Sequence, residues 1–250
     1  MPRSAAVYNR RMPTREAVKR LLGPRWSLRV RCWLEGKPLP RWGNLRRTRP
    51  FSARFGMDRG TPVDRYYLHR FLARHAASIT GDVLEVHQPL YTTRFGSAVR
   101  ASHTVDIDPR ARPTYVCDLA APGDTIPAAR YDCFLLHNTL HLIRDVDAAL
   151  RTAARVLRPG GVVLAATPVL MPLDGAAAAE YWRPTVDGWR ALAERAWPGA
   201  DVIVEGHGNC LAAAAAMLGL AMEELTEAEL DVHDPLYPVL VTAVGRTRAA

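Results

Sequence analysis

Acidic residues are nearly missing from the first fifth of this chain. Residues 1–50 hold fourteen Arg or Lys side chains, opposed only by Glu16 and Glu35. That segment therefore carries +12 of a whole-chain net charge of +8, and the other 200 residues carry −4. Lysine is scarce too, since Lys19 and Lys37 are the only two among 33 basic residues. Arginine in place of lysine, together with abundant alanine, is what a GC-rich genome produces without functional demand. Two readings of the arm stay open. It is a solvated, compositionally biased extension, or it attracts an anionic partner such as a phosphorylated substrate, a membrane surface or nucleic acid.

Long apolar runs are also absent. No stretch of 18 residues is continuously apolar, so no membrane span is expected. The run from Cys210 to Met222 is broken by glycine and reads as a buried, alanine-rich helix. The arginine-rich start has no apolar core of the kind a secretory signal needs, and a cytoplasmic location is expected. Cysteine is limited to Cys32, Cys117, Cys133 and Cys210, with no C-x-x-C spacing, which points to reduced thiols rather than a disulfide framework. No internal repeat is visible.

What remains alternates between strand and helix patterns. Tyr131 to Leu136 is a short apolar run of the kind buried on both faces of a parallel sheet. Asp145 can cap a helix in which Leu150, Ala153, Ala154 and Leu157 recur at helical spacing, with Arg158 in the last turn. Pro159-Gly160-Gly161 should stop that helix before an apolar strand at 162–166. Further strands are predicted at 83–86, 104–107, 115–117, 202–205 and 239–244. Helices are predicted over 14–22, from the 55–67 segment to about 77, and from the Thr185 cap to 196; residues 23–50 read as irregular. The fold class is therefore α/β, a doubly wound, Rossmann-like, seven-stranded, mostly parallel sheet with helices on both faces. Two regions are expected: a basic arm over 1–50 and the sheet domain over 51–250.

The run Tyr131 to Pro168, with its Leu140-His141 step and its Leu-Arg-Pro-Gly-Gly turn, resembles class I S-adenosylmethionine (SAM)-dependent methyltransferases. The resemblance extends over roughly 55–245 and is strongest over 81–168. Within that type 11-like family it is similar to a branch associated with glycan or secondary-metabolite biosynthesis. The Phe55-Gly56-x-Asp58-Arg59-Gly60-x-Pro62-x-Asp64-Arg65-Tyr66-Tyr67 run, the Tyr91-Thr92-Thr93-Arg94-Phe95-Gly96 run and the Tyr181-Trp182-Arg183 run carry that likeness. One departure stands out. Where the family places glycines after its first strand, this chain has His87 and Pro89.

The resemblance implies SAM as cofactor and assigns the site residue by residue. Glu85 ends the first strand. His87 stands in the turn, either as an obstruction tolerated by a shifted loop or as a contact. Asp106 would accept the ribose hydroxyls, since a carboxylate takes two hydrogen bonds, with Asp108 as the substitute if the register slips by a pleat. Asp118 and Leu119 would flank the adenine. Arg59 and Tyr66 would lie in a segment covering the cofactor. His137 and His141 follow the fourth strand, where methyl donor and acceptor meet, and His141 is the candidate general base. The His137/His141 pair lacks a following Glu and a third ligand, so no metal is expected. Tyr181, Trp182, Arg183 and Trp189 suit a sugar or phosphorylated acceptor, although core packing explains at least one Trp equally well.

These readings point to a SAM-dependent methyltransferase acting on an oxygen of a small-molecule, sugar or glycan acceptor. The rival is a protein of the same fold that has lost methyl transfer and serves as a cofactor-free biosynthetic enzyme or a glycosyltransferase partner. Nucleic-acid base methylation is disfavoured, because His137-Asn138-Thr139-Leu140 replaces the Asn/Asp-Pro-Pro-Tyr-like motif it would use.

Overall fold

The computed structural model describes residues 26–174 and 179–248. The chain divides between Thr48 and Arg49 into two units. In the first, residues 26–34 form a helix (α1), where the sequence predicted irregular chain. Trp26, Val30 and Trp33 recur at helical spacing there, and the Arg29 guanidinium lies 5.5 Å from the Trp26 ring centroid. The predicted helix over 14–22 lies outside the described residues.

The second unit is built on one seven-stranded sheet. Its strands are β1 (Gly81–Val86), β2 (Val99–Asp106), β3 (Tyr115–Val116), β4 (Tyr131–His137), β5 (Leu157–Pro168), β6 (Asp201–His207) and β7 (Leu240–Arg246). They lie in the order β3-β2-β1-β4-β5-β7-β6. The first five run parallel, and β7 runs antiparallel to both β5 and β6. The helices are α2 (Val63–Arg74), α3 (Leu90–Phe95), α4 (Val146–Val156), α5 (Val186–Ala196), α6 (Cys210–Met217) and α7 (Glu227–Asp231).

Two-residue alternation sends each central strand into two cores. Leu84, Phe134 and Leu136 pack with Leu150 and Ala153 of α4 and Trp189 of α5. Val83, Cys133 and Leu135 pack on the other face with Leu68 and Phe71 of α2 and Ala212 of α6. Helices on both faces explain why β1 and β4 are apolar at nearly every position. The large indoles are satisfied inside: Trp189 Nε1 donates to Thr167 at 3.1 Å and Trp197 Nε1 to the Leu150 carbonyl at 2.6 Å. Among the described residues, no helix is long and apolar enough to cross a membrane.

Caps mark the helix starts as predicted: the Asp145 carboxylate accepts from Ala148 N at 2.9 Å and Thr185 Oγ1 from Gly188 N at 3.1 Å. Two boundaries and one short helix differ from expectation. The α4 helix ends at Val156, and Leu157 already pairs with Tyr131 of β4. Residues 158–161, including Pro159-Gly160-Gly161, form an irregularity inside β5 before Val162 pairs with Cys133. Arg158 is thereby freed from the helix to bond Asp82 and Asp132, each at 2.7 Å. Secondly, α2 begins at Val63 rather than near 55. Gly56 sits there at φ +89, with an added Cβ only 2.6 Å from the Leu220 carbonyl oxygen, so that segment is a tight turn. Thirdly, the short helix α7 carried no apolar periodicity long enough to reveal it.

Candidate active site

The carboxyl ends of β1, β2, β3 and β4 surround a cavity of about 1130 Å³, placed where open α/β sheets hold ligands. Its wall includes His87, Asp106, Asp118, Leu119 and His137. Five of the residues expected from sequence are thus brought together. Tyr181 and Trp182 complete the wall, 49% and 39% exposed. Trp189, by contrast, is a core residue at 0% exposure.

The turn after β1 is organised by Glu85 rather than by glycine. Its fully buried carboxylate accepts from the backbone N–H of Tyr91 at 2.9 Å and of Thr92 at 2.8 Å. His137 Nε2 adds a longer bond at 3.3 Å. Each carboxylate oxygen is therefore anchored in protein, and Glu85 is absent from the cavity wall. Burial lowers the pKa of His137, opposed by this bond to Glu85. Its ring also meets Tyr91 edge-on, with centroids 4.6 Å apart.

His87 adopts φ +67, the left-handed conformation that glycine takes without penalty. The backbone of the turn is thus close to what a glycine would supply, although the residue is not one. Its Nδ1 donates to Asp106 Oδ2 at 2.7 Å. Asp106 Oδ1 accepts from Asp108 N at 2.8 Å. An ionised carboxylate offers about four acceptor positions, so two remain for a ribose diol with the imidazole in place. Asp108 is committed elsewhere: its oxygens receive the Arg110 guanidinium at 2.7 to 3.0 Å and Arg110 N at 2.9 Å. The Arg110 bond holds its carboxyl below the ordinary value. Asp118 Oδ1 accepts from Ala120 N at 2.8 Å, and its side chain is exposed. The acceptor set of Asp106 and Asp118, with apolar Val86, Ile107 and Leu119 beside them, fits an adenosine-bearing cofactor.

Besides Glu85, two expected cofactor residues stand apart from this cavity. Arg59 binds Glu224 through two nitrogens, one at 2.9 Å, and holds that carboxyl down at about 2. Tyr66 donates to Asp231 at 2.7 Å and lines a different cavity of about 550 Å³ with Tyr67, Arg70 and His207. The residue of α2 that does line the large cavity is Arg65. One step along a helix turns the side chain by about 100°, which separates Tyr66 from Arg65.

His141 lines a smaller cavity of about 150 Å³ that shares Arg65, Asn138, Leu142 and Asp174 with the large one. The imidazole is 7% exposed, and burial lowers its pKa to about 4. It is therefore neutral at pH 7, as a proton acceptor must be. Its carbonyl accepts from Tyr181 N at 2.7 Å, tying the fourth-strand loop to the segment after β5. Sequence reasoning missed Asn138 and Glu180 in this wall. The sign available for Asn138 was its place directly after a strand-end histidine, where it adopts φ +43; Asn tolerates that region better than most residues.

The strand order, the single antiparallel β7 and the cavity at the carboxyl ends are those of an α/β fold of the class I methyltransferase type. Residues 93–165 match the family model described as a methyltransferase domain. That match spans less than a third of the chain. No curated protein matches the sequence. Among solved structures, a SAM-dependent methyltransferase from Mesorhizobium loti is similar at TM-score 0.50 and 16% identity, over 74% of this chain and 99% of that one. The N-methyltransferase NodS from Bradyrhizobium japonicum WM9, in complex with S-adenosylhomocysteine, is similar at 0.48 and 10%, over 81% and 94%. The [4+2]-cyclase SpnF is similar at 0.49 and 14%, over 95% and 98%.

Proposed function

We propose that this protein methylates an oxygen of a small-molecule, sugar or glycan acceptor. The observation that carries this reading is the small cavity of His141, which borders the cofactor cavity and shares four wall residues with it. Asp106 would hold the cofactor's ribose, and Asp118 with Leu119 its adenine. When bound, SAM supplies a methyl group on a positively charged sulfur, which leaves as a neutral thioether. An acceptor hydroxyl seated against His141 would give up its proton to the neutral imidazole. Asn138 and Arg65, at the junction of the two cavities, would orient the acceptor.

Isothermal titration with SAM, followed by assay of S-adenosylhomocysteine formation on candidate alcohols, tests the reading. Heat on titration together with turnover supports it. His141→Gln should lower kcat by about 10²-fold, the lower range for general-base catalysis, and leave SAM binding unchanged. A chain that gives neither heat nor thermal shift with millimolar SAM is the non-methylating alternative. That alternative rests on the bond from His87 to Asp106, which already occupies part of the ribose acceptor.

The basic arm is the proposed contact for an anionic partner. Deleting residues 1–50 should leave the sheet unit soluble and its SAM affinity intact while changing partner or acceptor choice. Aggregation of the shortened chain would show that the Trp-rich segment is needed for folding.

A further inference from the structure

Three buried side-chain atoms in the wall of the small cavity have no hydrogen-bond partner among the described residues: Asn138 Oδ1, His141 Nδ1 and Arg183 Nε. Buried polar atoms are nearly always paired, so their gathering in one wall of one cavity marks a place built for a polar guest. The charges around them are already balanced. The Arg183 guanidinium binds Glu180 and also donates to the Pro172 carbonyl at 3.1 Å. The other Glu180 oxygen accepts from Asp174 N at 2.6 Å. Asp64, 3% exposed, accepts through Oδ2 from both Arg65 and, at 3.1 Å, Asn138 Nδ2. That last bond fixes the amide's orientation, because a carboxylate only accepts, and leaves Oδ1 as the unpaired end. Asp174, exposed in both walls, is at the solvent side.

The unmet needs are complementary. Arg183 Nε–H needs an acceptor, and Asn138 Oδ1 needs a donor. A carboxylate guest would satisfy only the first and would meet Asp64 and Glu180. An ammonium guest would satisfy only the second and would meet Arg65 and Arg183. A hydroxyl is both donor and acceptor and brings no charge. At about 150 Å³ the cavity lies well below the roughly 300–1,000 Å³ of whole-ligand sites, so it takes the end of an acceptor. We infer that this cavity receives an uncharged, hydroxyl-bearing sugar ring edge, with Arg183 Nε donating to it, Asn138 Oδ1 accepting from it and His141 beside it. That the guest is the methyl acceptor rests on the methyltransferase reading above; that it is a neutral polyol does not.

The test is saturation-transfer NMR on the full chain with S-adenosylhomocysteine present. The probes are the methyl glycosides of glucose, galactose and mannose, set against the matching uronic acids and amino sugars. At least one neutral glycoside should bind, at least tenfold more tightly than its two charged counterparts. Arg183→Lys retains a cation for Glu180 and loses the Nε donor. It should weaken that binding about tenfold and leave S-adenosylhomocysteine affinity unchanged. His141→Phe, which keeps a ring and loses the nitrogens, is the second variant, and thermal melting checks that both are folded. Absence of neutral-glycoside binding, equal or better binding of a charged sugar, or indifference to both substitutions overturns the inference. Calorimetry with SAM on the same sample separates the two claims. Sugar binding without SAM binding removes methyl transfer and keeps the sugar site; the reverse removes only the sugar site.

Discussion

At the amino-terminal ends of the central strands, Asp82 of β1 and Asp132 of β4 are surrounded by guanidinium groups. Arg100 donates to Asp82 at 2.8 Å and to Asp132 at 3.2 Å, Arg158 bonds both, and Arg130 bonds Asp82. Asp132 also accepts from Asp82 N at 2.7 Å. At the opposite ends of the sheet, Asp106 and Asp118 have no guanidinium partner among the described residues; they are met by one imidazole and by backbone N–H groups. The difference teaches which carboxylates hold the fold and which are left with acceptor capacity. Saturated acids close the floor of the sheet, and under-used acids face the cavity.

The largest effect expected from this contrast is at the floor. The bonds from Arg100 and Arg158 hold the Asp82 carboxyl far below the ordinary range. A depressed carboxyl contributes stability that is present above its unfolded value near 4 and is lost as pH falls below that. Asp82→Asn should therefore lower stability at pH 7 by about 2–3 kcal/mol, somewhat under the usual cost of breaking a buried pair because Arg100 keeps access to water. It should also flatten the loss between pH 4 and pH 2. Urea unfolding at several pH values measures both, and an unchanged acid limb would show that Asp82 is not the group responsible.

Next comes the cavity side. Asp106→Ala should cost SAM binding about 1.5–3 kcal/mol, the range for bonds to a charged acceptor, with global stability little changed. Asp108→Ala should cost less, because that carboxylate is taken up by Arg110. Calorimetry reading the reverse order would place the ribose on Asp108. For His141, turnover should stay level from pH 8 down to about pH 5 and fall as the imidazole protonates near 4. A fall centred near pH 6.5 would mean a solvated histidine or a different base.

The smallest expected effect is at His87. Replacing it by Gly relieves the left-handed backbone cost and frees Asp106 Oδ2, offset by up to about 1 kcal/mol of added chain freedom. SAM should bind slightly tighter. Markedly weaker binding would make the imidazole a ligand contact and erase the contrast drawn above.

The sheet was legible because β1, β4 and β5 are apolar on both faces, a pattern few other environments produce. The Asp145 and Thr185 caps were legible because capping is a local matter of one side chain and one N–H. Boundaries at Gly56 and Arg158 were not, because they depend on Leu220 and Asp82, far away in sequence. The cavity acids were legible from their order at strand ends. Arg59 and Tyr66 were misplaced because their partners, Glu224 and Asp231, belong to a region without recognisable periodicity. Asn138 was hidden in a different way, since what distinguishes it is a bond it does not make.

The two oxygens of Glu85 have a consequence for how this turn can change. They grip the first amides of α3 from beneath, so the path of the chain over 87–90 is set from inside the sheet. Gln88, Pro89 and Leu90, all exposed, do not have to encode that path. Such a turn can drift in composition while its outline persists, and searches keyed to glycine will pass over it. The same property makes 88–90 a natural place to graft new side chains, whereas altering Glu85 would release the turn itself.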